Sequence, residues 1–194
     1  MMAEHDKAAI LLLLARQAIA LQLGMGVDER QCMDIDWLNE DAATFVTLTQ
    51  HQALRGCIGS LEAYRPLRVD VQANAVAAAF HDPRFSPLTI DEYAGLRLEV
   101  SLLTALQGLD VVDENDALEK IRPGLDGVVL QCMVHGSMHK ATFLPQVWDQ
   151  LSDPVQFMNH LKVKAGLKVD DWHSDMCLFV YQVHQYCEPA EGAL

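Results

Sequence analysis

Apolar and polar positions alternate along this chain with two periods, one helical and one strand-like. From Asp6 to Leu23 the run is rich in Ala, Leu and Ile, which favour helix, and Gly24 and Gly26 supply its stop. Residues 27–41 are acidic without a clear period and read as an ordered surface loop. Thr44-Phe45-Val46-Thr47-Leu48-Thr49 has the β-branched and aromatic content of a strand. After a polar break at Gln50-His51-Gln52, Leu54–Leu61 reads as its antiparallel partner. Pro66 opens a helix in which Leu67, Val71, Asn74, Ala75 and Ala78 share one face, and its alanines let it lie close to a sheet. Asp82-Pro83 ends it, because the residue before proline resists the helical region.

The second half continues in the same manner. Thr89-Ile90-Asp91-Glu92 is a capping-box pattern, and Leu96–Leu102 alternates as a half-buried strand. Asp113–Ile121 predicts a short helix closed by Pro123-Gly124. Val128–Val134 and Met138–Phe143 flank His135-Gly136-Ser137, a hairpin signal. Pro145 starts a helix through Val147, Trp148 and Leu151. Asp153-Pro154 caps another with Phe157, Met158, Leu161 and Ala165 inward and Gly166 as its stop. Met176–Val183 reads as the last strand, with a frayed tail from Glu188. Hairpins and helices in irregular order predict an α+β fold, a largely antiparallel sheet with flanking helices. No linker rich in Pro, Gly or Ser divides residues 1–194, so a single domain is expected.

Charge narrows the partners. Fourteen Lys and Arg against twenty-seven Asp and Glu leave a net charge of −13. Such a surface repels phosphate backbones, so neither nucleic acid nor a membrane is expected as a partner. Ile10–Leu14 is too short to span a bilayer, and the acids before it and Arg16 after it argue against a secretory leader. Five cysteines without a Cys-x-x-Cys argue for reduced thiols in a cytoplasmic protein rather than a disulfide framework.

The candidate chemistry centres on Leu54-Arg55-Gly56-Cys57-Ile58-Gly59. Two glycines in a strand mark places where a side chain would clash, and one of them is expected at positive φ. Cys57 is the candidate catalytic nucleophile or redox thiol, and Arg55, two residues away, is expected to share its strand face and activate it. The competing reading makes Cys57 a small buried hydrophobe. Arg84, in Asp82-Pro83-Arg84-Phe85, suits bidentate binding of a carboxylate or phosphate, or an ion pair with an acid such as Glu99. Arg55, Gly56, Ile58, Gly59 and Arg84 are thus the expected substrate contacts, for a small polar molecule. Cys132, Cys177 and Cys187 fall in strand or strand-end patterns where burial keeps a thiol inert, whereas Cys32 lies in a loop and reacts by exposure. His135 and His139 are four apart, but a turn between them breaks the helical spacing of a zinc pair; no metal or cofactor is expected.

Together these segments resemble the AMMECR domain family in order and spacing. The resemblance rests on Phe45-Val46-Thr47-Leu48, Leu54–Gly59, Asp82-Pro83-Arg84-Phe85 and Glu99-Val100-Ser101. It continues through Pro123-Gly124-x-Asp126-Gly127-Val128, Ala141–Trp148 and Lys164-Ala165-Gly166-Leu167, and covers nearly the whole chain. It departs from the family pattern at Leu102–Gln107, where the usual proline is missing. The resemblance implies two unequal lobes with the Arg55–Gly59 segment near the cleft between them. It also implies partnership with a Memo-like protein and a radical S-adenosylmethionine protein, and it fixes no reaction. Two classes follow: a small enzyme or enzyme subunit using Cys57, or a non-catalytic partner of those proteins.

Overall fold

Glu4–Gln22 forms α1, and its C-terminus closes in a Schellman motif. Gly24 takes φ +76° while its N–H bonds to the Leu21 carbonyl and that of Met25 to Ala20. The computed structural model describes residues 4–27 and 35–189. Residues 28–34 of the expected 27–41 loop, Cys32 among them, lie outside the described residues. Its end is a single 3-10 turn, Asp36–Asn39, that buries Leu38 completely.

The contacts of the chain group into two units. The larger holds the chain up to Leu103 together with that from His184, and the smaller is Thr104–Val183. In the larger, β1 (Thr44–Gln50), β2 (Ala53–Gly59), β3 (Leu96–Leu103) and β8 (Val183–Cys187) form a sheet in the order β2-β1-β3-β8. α2 (Leu67–Phe80) and α1 cover one face, where Val46, Leu48, Leu98 and Val100 meet Leu11, Leu14, Val71, Ala75 and Ala78. Alternation then turns Thr47, Cys57, Glu99 and Ser101 to the opposite face. α3 (Ile90–Tyr93) is one turn with the capping box in place.

The smaller unit holds β4 (Gln107–Leu109), β5 (Gly127–Val134), β6 (Ser137–Phe143) and β7 (Cys177–Tyr181), ordered β4-β7-β5-β6. α4 (Glu114–Lys120) begins at Asp113, whose carboxylate accepts the Asp116 N–H. α5 (Pro154–Lys164) is capped by Asp153 and buries Phe157, Met158 and Leu161 against Val128, Leu130 and Leu178. The Trp148 ring stacks on Phe157 with centroids 3.7 Å apart. Its indole N–H donates to the Asp126 carbonyl at 2.7 Å. α5 also buries Lys162 completely, with Nζ 2.6 Å from Glu114 and donating to the Val169 carbonyl.

The architecture is α+β and antiparallel with helices, as the patterns predict, and its strands divide between two four-stranded sheets. Two strands escape the sequence. β4 has only three residues with a glycine at its centre, too short for a period to show. β8 follows β7 after the single residue Gln182, and the chain there passes from one sheet to the other. Of the tail expected to fray, Glu188 is held, and residues 190–194 lie outside the described residues. The Glu188 carboxylate takes two hydrogen bonds from Arg16 and one from the Leu98 N–H. Where the family's proline is absent, β3 runs on to Leu103, and the Thr104 N–H then donates to the Gln182 carbonyl.

Candidate functional site

The β1–β2 hairpin turns on His51 and Gln52, both left-handed at φ 49° and 65°. Two such residues between paired Gln50 and Ala53 make a type I′ turn, whose twist suits a hairpin. Beyond it the register slips, since Thr49 pairs with Leu54 but Leu48 with Gly56. Arg55 is the extra residue of this bulge, and bulges re-aim side chains. Its guanidinium goes to Glu92 (Nε–Oε1 2.8 Å, Nη2–Oε2 3.2 Å) with the Phe85 ring 5.9 Å away. Arg55 therefore does not flank the Cys57 thiol as alternation alone would have it. Glu92 is also the capping acid, accepting the Thr89 N–H and hydroxyl. Arg55 first, then Thr89, hold its carboxyl down at about 2 against the effect of burial.

Cys57 sits on an edge strand, and its main chain is completed by a turn rather than by another strand. Its N–H donates to Asp82 Oδ2 at 2.9 Å and its carbonyl accepts from Arg84 Nη2 at 3.3 Å. Asp82 and Arg84 lock to one another through Nε–Oδ1 (2.9 Å) and Nη2–Oδ2 (2.7 Å). The Asp82 side chain is 1% exposed and that of Arg84 52%, so one side of the guanidinium stays open. Arg84, and after it the Cys57 N–H, hold the Asp82 carboxyl far below the usual carboxylate range despite burial. Arg84 thus pairs with Asp82, two residues back, and not with Glu99.

On the outer face of the sheet a row of side chains crosses all four strands. Thr47 pairs with Cys57 on one side and with Glu99 on the other. The Thr47 hydroxyl donates to Cys57 Sγ at 3.3 Å. Glu99 accepts from Ser101 Oγ at 3.2 Å and from Cys187 Sγ at 3.3 Å. Burial, and then Glu99, push the Cys187 thiol up to about 11. Cys187 is a donor here. Cys57 is half-buried, Cys132 buried, and Cys177 and Cys187 exposed as whole residues, so full burial holds for Cys132 alone of the three expected inert thiols. Burial does push the Cys132 thiol up.

Gly56 and Gly59 both stand where a side chain would collide, but neither has positive φ. A Cβ at Gly56 would lie 2.1 Å from the Ala78 carbonyl oxygen of α2, and one at Gly59 2.3 Å from the Phe45 ring. Ile58 points inward against the core. His139 lies with Nδ1 2.9 Å from the Ala165 carbonyl and so donates to it. Among the described residues no group of three or more His, Cys, Asp or Glu is placed to hold a metal. Nor is any described helix long and apolar enough to cross a membrane.

The structure thus gathers Cys57 and Arg84, ties Arg55 next to them through Glu92 and Phe85, and adds Thr47, Asp82 and Glu99. Asp82 and Glu92 are legible in the sequence only as helix punctuation. The chain from residue 12 to residue 186 matches the AMMECR1 family model. The chain belongs to the AMMECR1 family. A relative from Saccharolobus solfataricus is 34% identical over 172 residues, 84% of this chain and 73% of that protein. Relatives from Sulfurisphaera tokodaii and Sulfolobus acidocaldarius are each 39% identical, over 62% and 70% of this chain. The match spans only 51% and 60% of those two proteins. The crystal structure of an uncharacterized protein from Pyrococcus horikoshii is similar at a TM-score of 0.76 with 29% identity, covering 91% of this chain and 88% of that one.

Proposed function

We propose that this AMMECR1-family chain is a small enzyme, or a subunit of one, that acts on a small polar substrate laid over the outer face of the first sheet. Cys57 is the reacting thiol. One observation carries the reading: a half-buried thiol receives a hydroxyl hydrogen bond while its own N–H and carbonyl are clamped by Asp82 and Arg84. A backbone held on both sides fixes where the sulfur stands, which is what a nucleophile needs. Glu99, aligned by Ser101 and Cys187, serves as the proton acceptor or donor. It stands two strands from Cys57, roughly 10 Å at the usual strand spacing, a span that a small molecule lying over Thr47 would bridge. The open side of Arg84 and the Gly56-to-Gly59 backbone complete the contact surface, and Arg55 positions it by anchoring Phe85 and Glu92.

The test is alkylation of the native protein by iodoacetamide, read cysteine by cysteine by mass spectrometry. Cys57 is expected to label, with Thr47→Val changing its rate more than those of Cys177 and Cys187. If Cys57 labels only after unfolding in urea, it is a packing residue and the enzymatic reading fails. A second reading makes the chain a non-catalytic partner of a Memo-like or radical S-adenosylmethionine protein. It draws support from Leu54 and Tyr64, which flank the site segment in sequence and are 43% and 64% exposed. Purification from native cells separates the two, a bound metabolite favouring the first and a bound protein of either kind the second.

A further inference from the structure

The smaller unit has a cleft of its own, independent of Cys57. Its volume is roughly 110 Å³, and its walls come from β4, the turn before β5, and the end of β7. A cleft of that size admits a group of a few heavy atoms. The chemistry of the walls is specific. Arg122 is fixed to Asp126 by Nε–Oδ2 (3.0 Å) and Nη2–Oδ1 (2.7 Å), and Asp126 Oδ2 also takes the Arg122 backbone N–H. The Asp126 side chain is 1% exposed and that of Arg122 55%, so the carboxylate is spent while guanidinium N–H groups face outward.

Each remaining polar wall has a defined role. Thr104 Oγ1 accepts the Gln182 N–H, which leaves the hydroxyl proton to donate. The Tyr181 hydroxyl is engaged with Thr142 and the Phe143 carbonyl, so Tyr181 offers no hydroxyl to a ligand. Gln107 and Gln182 line the cleft and carry amides able to donate and accept. The cleft therefore presents donors from Arg122 and Thr104 and matched donor–acceptor pairs from two amides. Its one full cation is neutralised by its own aspartate. In a chain of net charge −13 nothing there favours an anion over a neutral group.

We propose that this cleft binds a small uncharged carboxamide or ureido group. The carbonyl oxygen accepts from Arg122 and Thr104, and the ligand N–H donates to a glutamine side-chain oxygen. A ligand of about four heavy atoms is held at millimolar strength in ordinary cases, because so few atoms supply little binding energy. The experiment is a nuclear magnetic resonance titration of the full chain with acetamide, methylurea and, as the charged isostere, acetate, each to about 200 mM. Acetamide and methylurea are expected to give saturable shifts at the amides of Thr104, Gln107, Gly127 and Gln182, and acetate none. Gln107→Ala and Gln182→Ala should each weaken binding roughly five-fold, the worth of one neutral hydrogen bond, with the unfolding midpoint unchanged. Saturation by acetate at equal or lower concentration overturns the ligand class. Absence of saturable shifts with all three, or unaltered binding in both variants, overturns the site.

Discussion

Gly56 is glycine for want of room, and this is the lesson of the site at the scale of single residues. Its φ is one any residue adopts, yet a Cβ there would sit 2.1 Å from the Ala78 carbonyl oxygen. That oxygen belongs to the backbone of α2 and moves only if the helix moves. At Gly59 the obstacle is the Phe45 ring at 2.3 Å together with the Thr44 carbonyl oxygen at 2.5 Å. The ring contact is at Cγ, the fixed base of the side chain, and the Thr44 oxygen is backbone, so this obstacle does not swing aside either. Gly56→Ala and Gly59→Ala are therefore each expected to cost about 3 kcal/mol, at the upper end for overpacked cores. Urea unfolding of both variants measures this, and a loss below about 0.5 kcal/mol at Gly56 would show that α2 is free to shift. Among the described residues other than glycine, left-handed strain falls on His51, Gln52 and His135, and only His135 is announced by a glycine after it.

At the scale of elements, that strain makes a second expectation. A type I′ turn prefers Asn-Gly, and His51–Gln52 holds the same conformation without that advantage. His51→Asn combined with Gln52→Gly should raise the urea midpoint by the equivalent of about 1 kcal/mol with an unchanged slope. A lower midpoint would mean that the two side chains support the hairpin by contacts of their own. α2 carries the third expectation. Asp70 is wholly buried and receives only donors: the Thr44 N–H and hydroxyl, Ser60, Arg65 and the Asn74 amide. Asp70→Asn would set an NH2 group among those donors and strip Arg65 of its charge partner. The cost should reach about 3–5 kcal/mol, whereas a loss under 1 kcal/mol would mean the cluster rearranges freely. The α2 pattern did show Asn74 on the apolar face, but its partner one turn earlier passes unnoticed because an acid in a first turn is ordinary. Long periodic elements, caps and hairpin turns were legible for the same reason: their signals are local. The bulge at Arg55, the clamp by Arg84 and the strands β4 and β8 depend on pairing with distant chain, which no window of sequence contains.

At the scale of the whole molecule, the charge of −13 and the paired carboxylates act in opposite directions as pH falls. Protonating the acidic surplus first relieves self-repulsion, so stability should rise from neutral pH into mild acid. Further acidification then reaches the carboxylates that the fold holds ionised. Glu92 is depressed from an ordinary value near 4.5 to about 2, first by Arg55 and then by Thr89. Because its folded value lies below its unfolded one, the unfolded chain binds the extra proton in that window, and stability must fall as pH falls through it. Asp82, held lower still by Arg84, adds its loss below its ordinary value of 3.8. Glu92→Gln keeps the size of the side chain and the capping contact from Thr89 while removing the charge that Arg55 requires. At neutral pH this variant should be less stable by about 1–2 kcal/mol, and between about pH 4.5 and 2 it should lose less on acidification than the parent. Urea midpoints followed from about pH 7 down to about pH 2 read both quantities together. A variant curve parallel to the parent's through the acid limb would place the acid sensitivity elsewhere, and would remove Glu92 as the electrostatic anchor of Arg55 beside the Cys57 strand.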